Sequence, residues 1–145
     1  MDIKDFMAYP ARFEPAEEGG FTVIVSGIDG AISEGDDMKG AKKAAVAVIA
    51  DMANYLLDEK RPIPPAPAPT KGEMMVHLPI VMALKLVLRN EMLAQKVSLS
   101  ELARRMGMSA QLLGQTLDLT RTRTSIDALD SAFRAIGKTL KMSVD

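Results

Sequence analysis

Two glutamines one helical turn apart, Gln111 and Gln115, are followed closely by Arg121-Thr122-Arg123. A glutamine amide carries a donor and an acceptor in one plane, so it can pair with adenine through two hydrogen bonds. Arginines alternating with hydroxyls suit phosphate oxygens, which position a protein on a duplex without specifying its sequence. Groups for other chemistry are scarce. There is no cysteine, which excludes disulfides, zinc ribbons and thiol catalysis. The single histidine, His77, lies between Val76 and Leu78 and reads as structural. A Mg²⁺-dependent nuclease needs clustered carboxylates. Here Glu17, Glu18, Asp29, Glu34, Asp36 and Asp37 fall in turns and at a helix start, and the strongest strand, residues 21–25, carries none. No catalytic residue, metal site or cofactor is therefore expected.

The glutamines must be held by helices, and the local sequence supplies them. Ser98-Leu99-Ser100-Glu101 is a capping box, with Ser98 as N-cap and Glu101 three residues on. A short helix to Arg105 follows, broken at Gly107; Ser109 caps a second helix whose apolar face is Leu112, Leu113 and Leu117. Counted from Leu99, the small residue Ala103 stands fifth, Gly107 ninth and Leu113 fifteenth, which is helix-turn-helix spacing. The alanine allows a close crossing and the glycine a sharp turn. In such a unit the start of the second helix enters the major groove. Ser109, Ala110, Gln111, Gly114, Gln115 and Thr116 would then face bases, and Arg121, Thr122 and Arg123 the backbone. So small a unit implies a homodimer or higher homo-oligomer on a palindromic operator with two half-sites about one helical turn apart. A last helix, capped by Thr124 or Ser125, is expected to run to about Leu140, with Ile126, Leu129, Phe133, Ile136 and Leu140 inward.

Upstream, the periodicity changes. Residues 6–13 read as a strand in which Pro10 favours an edge or a bulge. Phe21–Val25 is rich in β-branched residues and pairs with it across Glu17-Glu18-Gly19-Gly20; 31–34 makes a short third strand. A long amphipathic helix spans about Asp37 to Asp58, its stripe dominated by alanine so that it can approach a sheet closely. Residues 62–69 then hold five of the eight prolines. Composition alone makes this run a polyproline II linker, about 25 Å long. Alternatively it is a crossover returning a strand at 73–78, with Met74, Val76 and Leu78 on one face, to the first sheet. Pro79 opens a helix to Gln95 whose apolar face is Ile80, Val81, Leu84, Val87, Leu88 and Met92.

The 145-residue chain is 48% apolar and 26% charged, a composition able to bury a core. The net charge of −1 hides an asymmetry. Residues 1–70 hold 7 basic and 12 acidic side chains, residues 71–145 hold 11 and 7. Such opposed ends suggest two different partners, a basic one for the first half and phosphate for the second. No apolar run is long enough to span a membrane, and the cytoplasm is the expected compartment.

In order along the chain, Tyr9-Pro10-Ala11 with Phe13, Glu17-Glu18-Gly19-Gly20-Phe21-Thr22-Val23, Gly35-Asp36-Asp37, the proline run, Leu78-Pro79, Ser100–Gly107 and Ala135-Ile136-Gly137-Lys138-Thr139-Leu140 resemble the HicB antitoxins of type II toxin–antitoxin systems, in their longer form. The resemblance implies an α+β chain. Residues 1–78 would form a partial ribonuclease-H-like sheet-plus-helix domain containing the proline segment 62–69. Residues 79–145 would form an all-α helix-turn-helix domain for DNA binding and dimerisation. The first would bind and neutralise HicA, a small basic mRNA-cleaving toxin; the second would repress the chain's own operon. Glu17, Glu18, Glu34, Asp36 and Asp37 are the acidic candidates for toxin contact. The competing reading is a ligand-responsive helix-turn-helix transcription regulator with no toxin partner.

Overall fold

The computed structural model describes residues 1–145 as an α+β protein with a four-stranded antiparallel sheet and five α-helices. A single 3-10 turn at Ile3–Phe6 leads into β1 (Ala8–Pro15), then β2 (Phe21–Val25), β3 (Ile32–Gly35), α1 (Met38–Asp58), β4 (Met74–His77), α2 (Ile80–Gln95), α3 (Leu99–Met106), α4 (Ala110–Thr116) and α5 (Ile126–Ala135). The strand order is β3-β2-β1-β4, so the proline run is a crossover that carries the chain from one sheet edge to the other.

Strand β1 is therefore interior and its register with β2 and β4 runs unbroken, so Pro10 marks neither the edge nor the bulge expected of it. Pro10 is tolerated because it lies at the end of the β1–β2 ladder. Its carbonyl accepts from Ser26 N–H at 2.9 Å, one step beyond the Ala11–Val25 pair, so the missing N–H removes only a terminal bond. Phe6 belongs to the 3-10 turn rather than to the strand, and is buried.

Helix α1 covers one sheet face. Its inward residues include Ala41, Ala45 and Ala53, and small side chains let the backbones come close. Gly35 shows how close: a Cβ there would collide with the Ala41 amide nitrogen. The other face carries Arg12, Ile32, Glu34, Met75 and His77, all exposed. Met74 shares a face with Val76 in sequence, but at the sheet margin it stays 43% exposed.

The proline run is a fixed strap, not a linker. Prolines have no N–H, so only Ile63, Ala66 and Ala68 can donate within Pro62–Pro69. Two of these three are satisfied. Ile63 donates to Asn90 Oδ1 at 2.8 Å and receives Asn90 Nδ2 at 2.8 Å, so the amide of α2 acts as a strand neighbour would. Ala66 donates to Asp5 O at 2.7 Å. The Pro64 carbonyl accepts from Tyr9 Oη at 2.6 Å. Burial pushes the Tyr9 phenol well above its usual range, so it stays a donor. Past the strap, the Glu73 carboxylate accepts from Ser26 and from Thr70 N–H and hydroxyl, which hold it below the usual carboxylate range and fix the entry to β4.

Helix α2 is buried on nearly every side and packs against α1, the 3-10 turn and α5. Only Ile80, expected inside, lies 40% exposed at its start. One continuous hydrophobic cluster runs from Phe6 and Tyr9 through α1 and α2 to Phe133 and Ile136. The last helix ends at Ala135, earlier than the apolar spacing suggests, because Gly137 takes a left-handed conformation; Ile126 is 38% exposed and Leu140 lies outside the helix, half-buried.

Candidate functional site

Helices α3 and α4 meet where the spacing places them. Ser98 Oγ accepts from Glu101 N–H at 3.1 Å, and Ser109 Oγ from Leu112 N–H at 3.1 Å. Gly107 is left-handed at φ 69°; its N–H bonds to Arg104 O, and Met108 N–H bonds to Ala103 O, closing the turn as glycine can. The capping box is half-formed. The Glu101 carboxylate turns away from Ser98 to Arg104 at 2.6 Å and Arg105 at 3.0 Å, which drive its pKa down to about 2. Ala103 and Leu113 are buried at the crossing, whereas Leu112 is 51% exposed on the outer side of α4.

The second helix and the loop after it form one polar groove, lined by Leu112, Gln115, Thr116, Thr120–Ser125 and Ala128. It brings Gln115, Thr116, Arg121, Thr122 and Arg123 together. Gln111 is exposed one turn earlier, with Ala110 beside it. The side chains of Gln111, Gln115, Arg121 and Arg123 have no hydrogen bond or ion pair within the chain, so their polar groups are free for a ligand. Other expected residues are partly committed. Ser109 is the N-cap, Thr116 Oγ1 donates to Leu112 O at 2.9 Å, and Gly114 is half-buried.

The loop is held by a side chain that the pattern reading passes over. Lys85 of α2 is fully buried, and its Nζ donates to Asp118 O at 2.9 Å and Arg121 O at 2.7 Å. Burial draws this ammonium below its usual pKa, and the nearby Asp118 opposes that. Asp118 itself accepts from Thr120 N–H and hydroxyl and from Asn54 of α1, and these bonds hold its carboxyl below the usual range. Arg89 of α2, drawn down by burial, feels both Asp58 and Asp118. The signal is present in the sequence: Ile80–Leu88 is apolar on every side except at Lys85, so the helix has to be enclosed and the lysine with it.

The acidic candidates gather at the other end of the molecule. Glu17 and Glu18 sit in the β1–β2 turn; Glu34, Asp36 and Asp37 sit at the end of β3 and in its turn into α1. The two turns are neighbours, since Phe21 pairs with Gly35 and Gly20 abuts Gly35 and Asp36. All five carboxylates are exposed. Asp37 is engaged as the N-cap of α1, accepting from Gly40 N–H at 2.6 Å. The first two turns of α1 add exposed Lys39, Lys42 and Lys43, which confine the acidic surface to the turn end. No group of three or more histidine, aspartate or glutamate side chains converges as a metal site would require, and no helix is long and apolar enough to cross a membrane.

Residues 8–87 match the family described as HicB_like antitoxin of bacterial toxin-antitoxin system. Over 139 residues the chain is 33% identical to Antitoxin HicB 1 of Photorhabdus laumondii, spanning 96% of this chain and 88% of that protein. It is 31% identical over 137 residues to Antitoxin HicB of Escherichia coli K12, spanning 94% and 98%. A more distant relative, Antitoxin HicB of Pseudomonas fluorescens, is 27% identical over 112 residues. The chain belongs to the HicB-like antitoxin family.

Replacing Lys85 by methionine keeps most of the length of the side chain but orphans the Arg121 carbonyl and leaves the Asp118 carbonyl with only the Arg121 N–H at 3.2 Å. The expected cost is about 1–3 kcal/mol in urea unfolding of the full chain, with faster amide exchange over residues 118–123. Unchanged stability and exchange would show that the clamp holds nothing.

Proposed function

We propose that this chain neutralises a HicA-type mRNA-cleaving toxin through residues 1–78 and represses its own operon through residues 79–145. The observation that carries the reading is family membership across nearly the whole chain, with antitoxins as relatives. The sheet with α1 on one face is the partial ribonuclease-H-like unit of this scheme, and α3 with α4 is its helix-turn-helix. The division at residue 78 is one of function, since α2 packs against both parts.

For the DNA half, the support is the groove. Gln111 and Gln115 read base edges from α4, Ala110 and Gly114 let the helix approach, and Arg121, Thr122 and Arg123 meet phosphates. The chain acts as a homodimer on a palindromic operator. For the toxin half, the support is charge: Glu17, Glu18, Glu34, Asp36 and Asp37 form an exposed acidic end suited to a basic RNA-binding surface. Complementarity of this kind chiefly raises the association rate and excludes wrong partners.

A specific feature favours the alternative, a ligand-responsive regulator. A groove of about 1210 Å³ lies between the strap, the end of α2 and the start of α3, with Phe6, Leu57, Ile63, Met92, Val97 and Leu99 in its wall. A metabolite that binds there and changes promoter affinity, in cells with no toxic neighbouring gene, would select that reading.

Two sets of variants test the proposal. Changing Gln111 or Gln115 to alanine is expected to weaken binding to promoter DNA by about 1–3 kcal/mol for each base pairing removed, while leaving random DNA unaffected. Changing Arg121 and Arg123 should lower the slope of log affinity against log salt by about 0.9 for each phosphate that is no longer neutralised. Equal weakening on promoter and random DNA for the glutamine variants would contradict base reading. For the toxin half, reversing Glu17, Glu18, Glu34 and Asp36 to lysine should slow toxin association at least tenfold at low salt, and 0.5 M salt should erase the difference. An unchanged association rate would remove this surface from the interface.

A further inference from the structure

The inner side of α4 is set by Leu113 and Leu117, both buried. At 3.6 residues per turn, the direction opposite their midpoint is that of Gln115. Gln111 lies about 40° to one side of it and Leu112 about 60° to the other. The outward arc of this helix is therefore two glutamines and one leucine. Leu112 is half exposed and lines the polar groove with Gln115 and Thr116. A single exposed leucine is common on protein surfaces. This one is set apart by its position and its surroundings. Its N–H donates to Ser109 Oγ at 3.1 Å, and its carbonyl accepts from Thr116 Oγ1 at 2.9 Å. Thr124 Oγ1 donates to Thr116 O at 2.8 Å, which ties the loop of the groove to the same turn. The backbone under Leu112 is thus held, while its side chain belongs neither to the core nor to the residues packed against it. Among the residues lining the groove, only Ala128 is also apolar.

We propose that Leu112 is a specificity-determining residue, which packs on the C5-methyl of a thymine in the A·T pair that Gln115 engages or in the pair next to it. The proposal rests on the operator-binding reading and names part of the sequence that is read. The chemistry of the groove floor leaves one complement for a leucine. The base edges there present nitrogen and oxygen donors and acceptors, and a single kind of apolar group, the thymine methyl. Set against any other edge, the leucine would strip water from a donor or acceptor and return no hydrogen bond. Adenine is the base that a glutamine pairs with, and its own partner carries the methyl into the same groove. Residues three apart on a helix are neighbours. Leu112 and Gln115 can therefore divide the work, the amide taking adenine N6 and N7 and the leucine taking the methyl. This contact involves no charge, so it releases no counterions and the preference it creates is independent of salt, unlike the contacts of Arg121 and Arg123.

Deoxyuridine lacks only this methyl and pairs with adenine in the same way, so one atom group can be removed from the DNA. The full-length chain and the variants Leu112→Ala, Leu112→Met and Gln115→Ala are titrated with a duplex spanning the region just upstream of the chain's own reading frame. The duplex is made once with thymine and once with deoxyuridine throughout. The unaltered chain is expected to bind the thymine duplex at least fivefold tighter, by the same factor at low and moderate salt. Leu112→Ala should bind the two duplexes within twofold of each other. Leu112→Met, still long and apolar, should keep at least a threefold preference. Gln115→Ala should weaken binding to both duplexes by one common factor, because deoxyuridine leaves adenine untouched. If the unaltered chain binds both duplexes alike, the methyl is not read; the inference is overturned and the operator-binding reading stands. If Leu112→Ala keeps the full preference, the methyl acts through duplex shape or another residue, and the inference is again overturned. If no form of the chain binds either duplex, the operator-binding reading falls and the inference with it.

Discussion

Helix α2 is enclosed by the rest of the protein, and the two polar side chains it buries must find partners there. Lys85 and Asn90 are the only charged or polar residues in the fully buried set. An unpaired buried polar group costs about 1–3 kcal/mol, and more if charged, so the surrounding backbone is obliged to meet them. Asn90 takes both peptide groups of Ile63, and with them the path of the proline strap. Lys85 takes the carbonyls of Asp118 and Arg121, and with them the loop that presents Arg121 and Arg123. One helix thus fixes the route by which the sheet is completed and the shape of the polar groove.

The same arrangement explains why a chain of opposed charge halves has one core. The acidic turns and the basic loop lie on different elements, but α1 and α2 run between them. Asn54 on α1 reaches Asp118 at 3.3 Å, a direct polar contact from the helix that covers the sheet to the loop beside α4. In the proposed function, toxin at the acidic end and operator at the groove are bound by surfaces that share this framework.

Much of this is legible from residue types. The bounds of α2, the serine caps at Ser98, Ser109 and Ser125, and the glycine turn at Gly107 follow from local rules, because caps and left-handed turns are decided within four residues. What is not legible depends on distant partners. The proline run fits a linker as well as a strap, and only Tyr9, Asp5 and Asn90, far away in sequence, decide between them. Pro10 reads as an edge residue because composition does not reveal where a ladder ends. Helical spacing places Leu112 and Ile126 inward and they lie outward, since spacing defines a face but not its width. At the candidate site, spacing finds the residues on α4 and the following loop. It does not find Lys85, Arg89, Asn54 and Asp118, although a lysine within an all-round apolar helix is a visible sign. Family membership is readable because it rests on the order of many short motifs, no one of which need be decisive.

The most direct test is toxin neutralisation. The chain is co-expressed with the short reading frame beside its own gene and purified on a tag that it carries; cleavage of messenger RNA by the partner is then measured with and without added antitoxin. The account predicts a stoichiometric basic partner, toxic when expressed alone, whose RNA cleavage ends at a one-to-one ratio. A neighbouring product that is harmless alone, or that cleaves RNA equally well with the chain in excess, would contradict it.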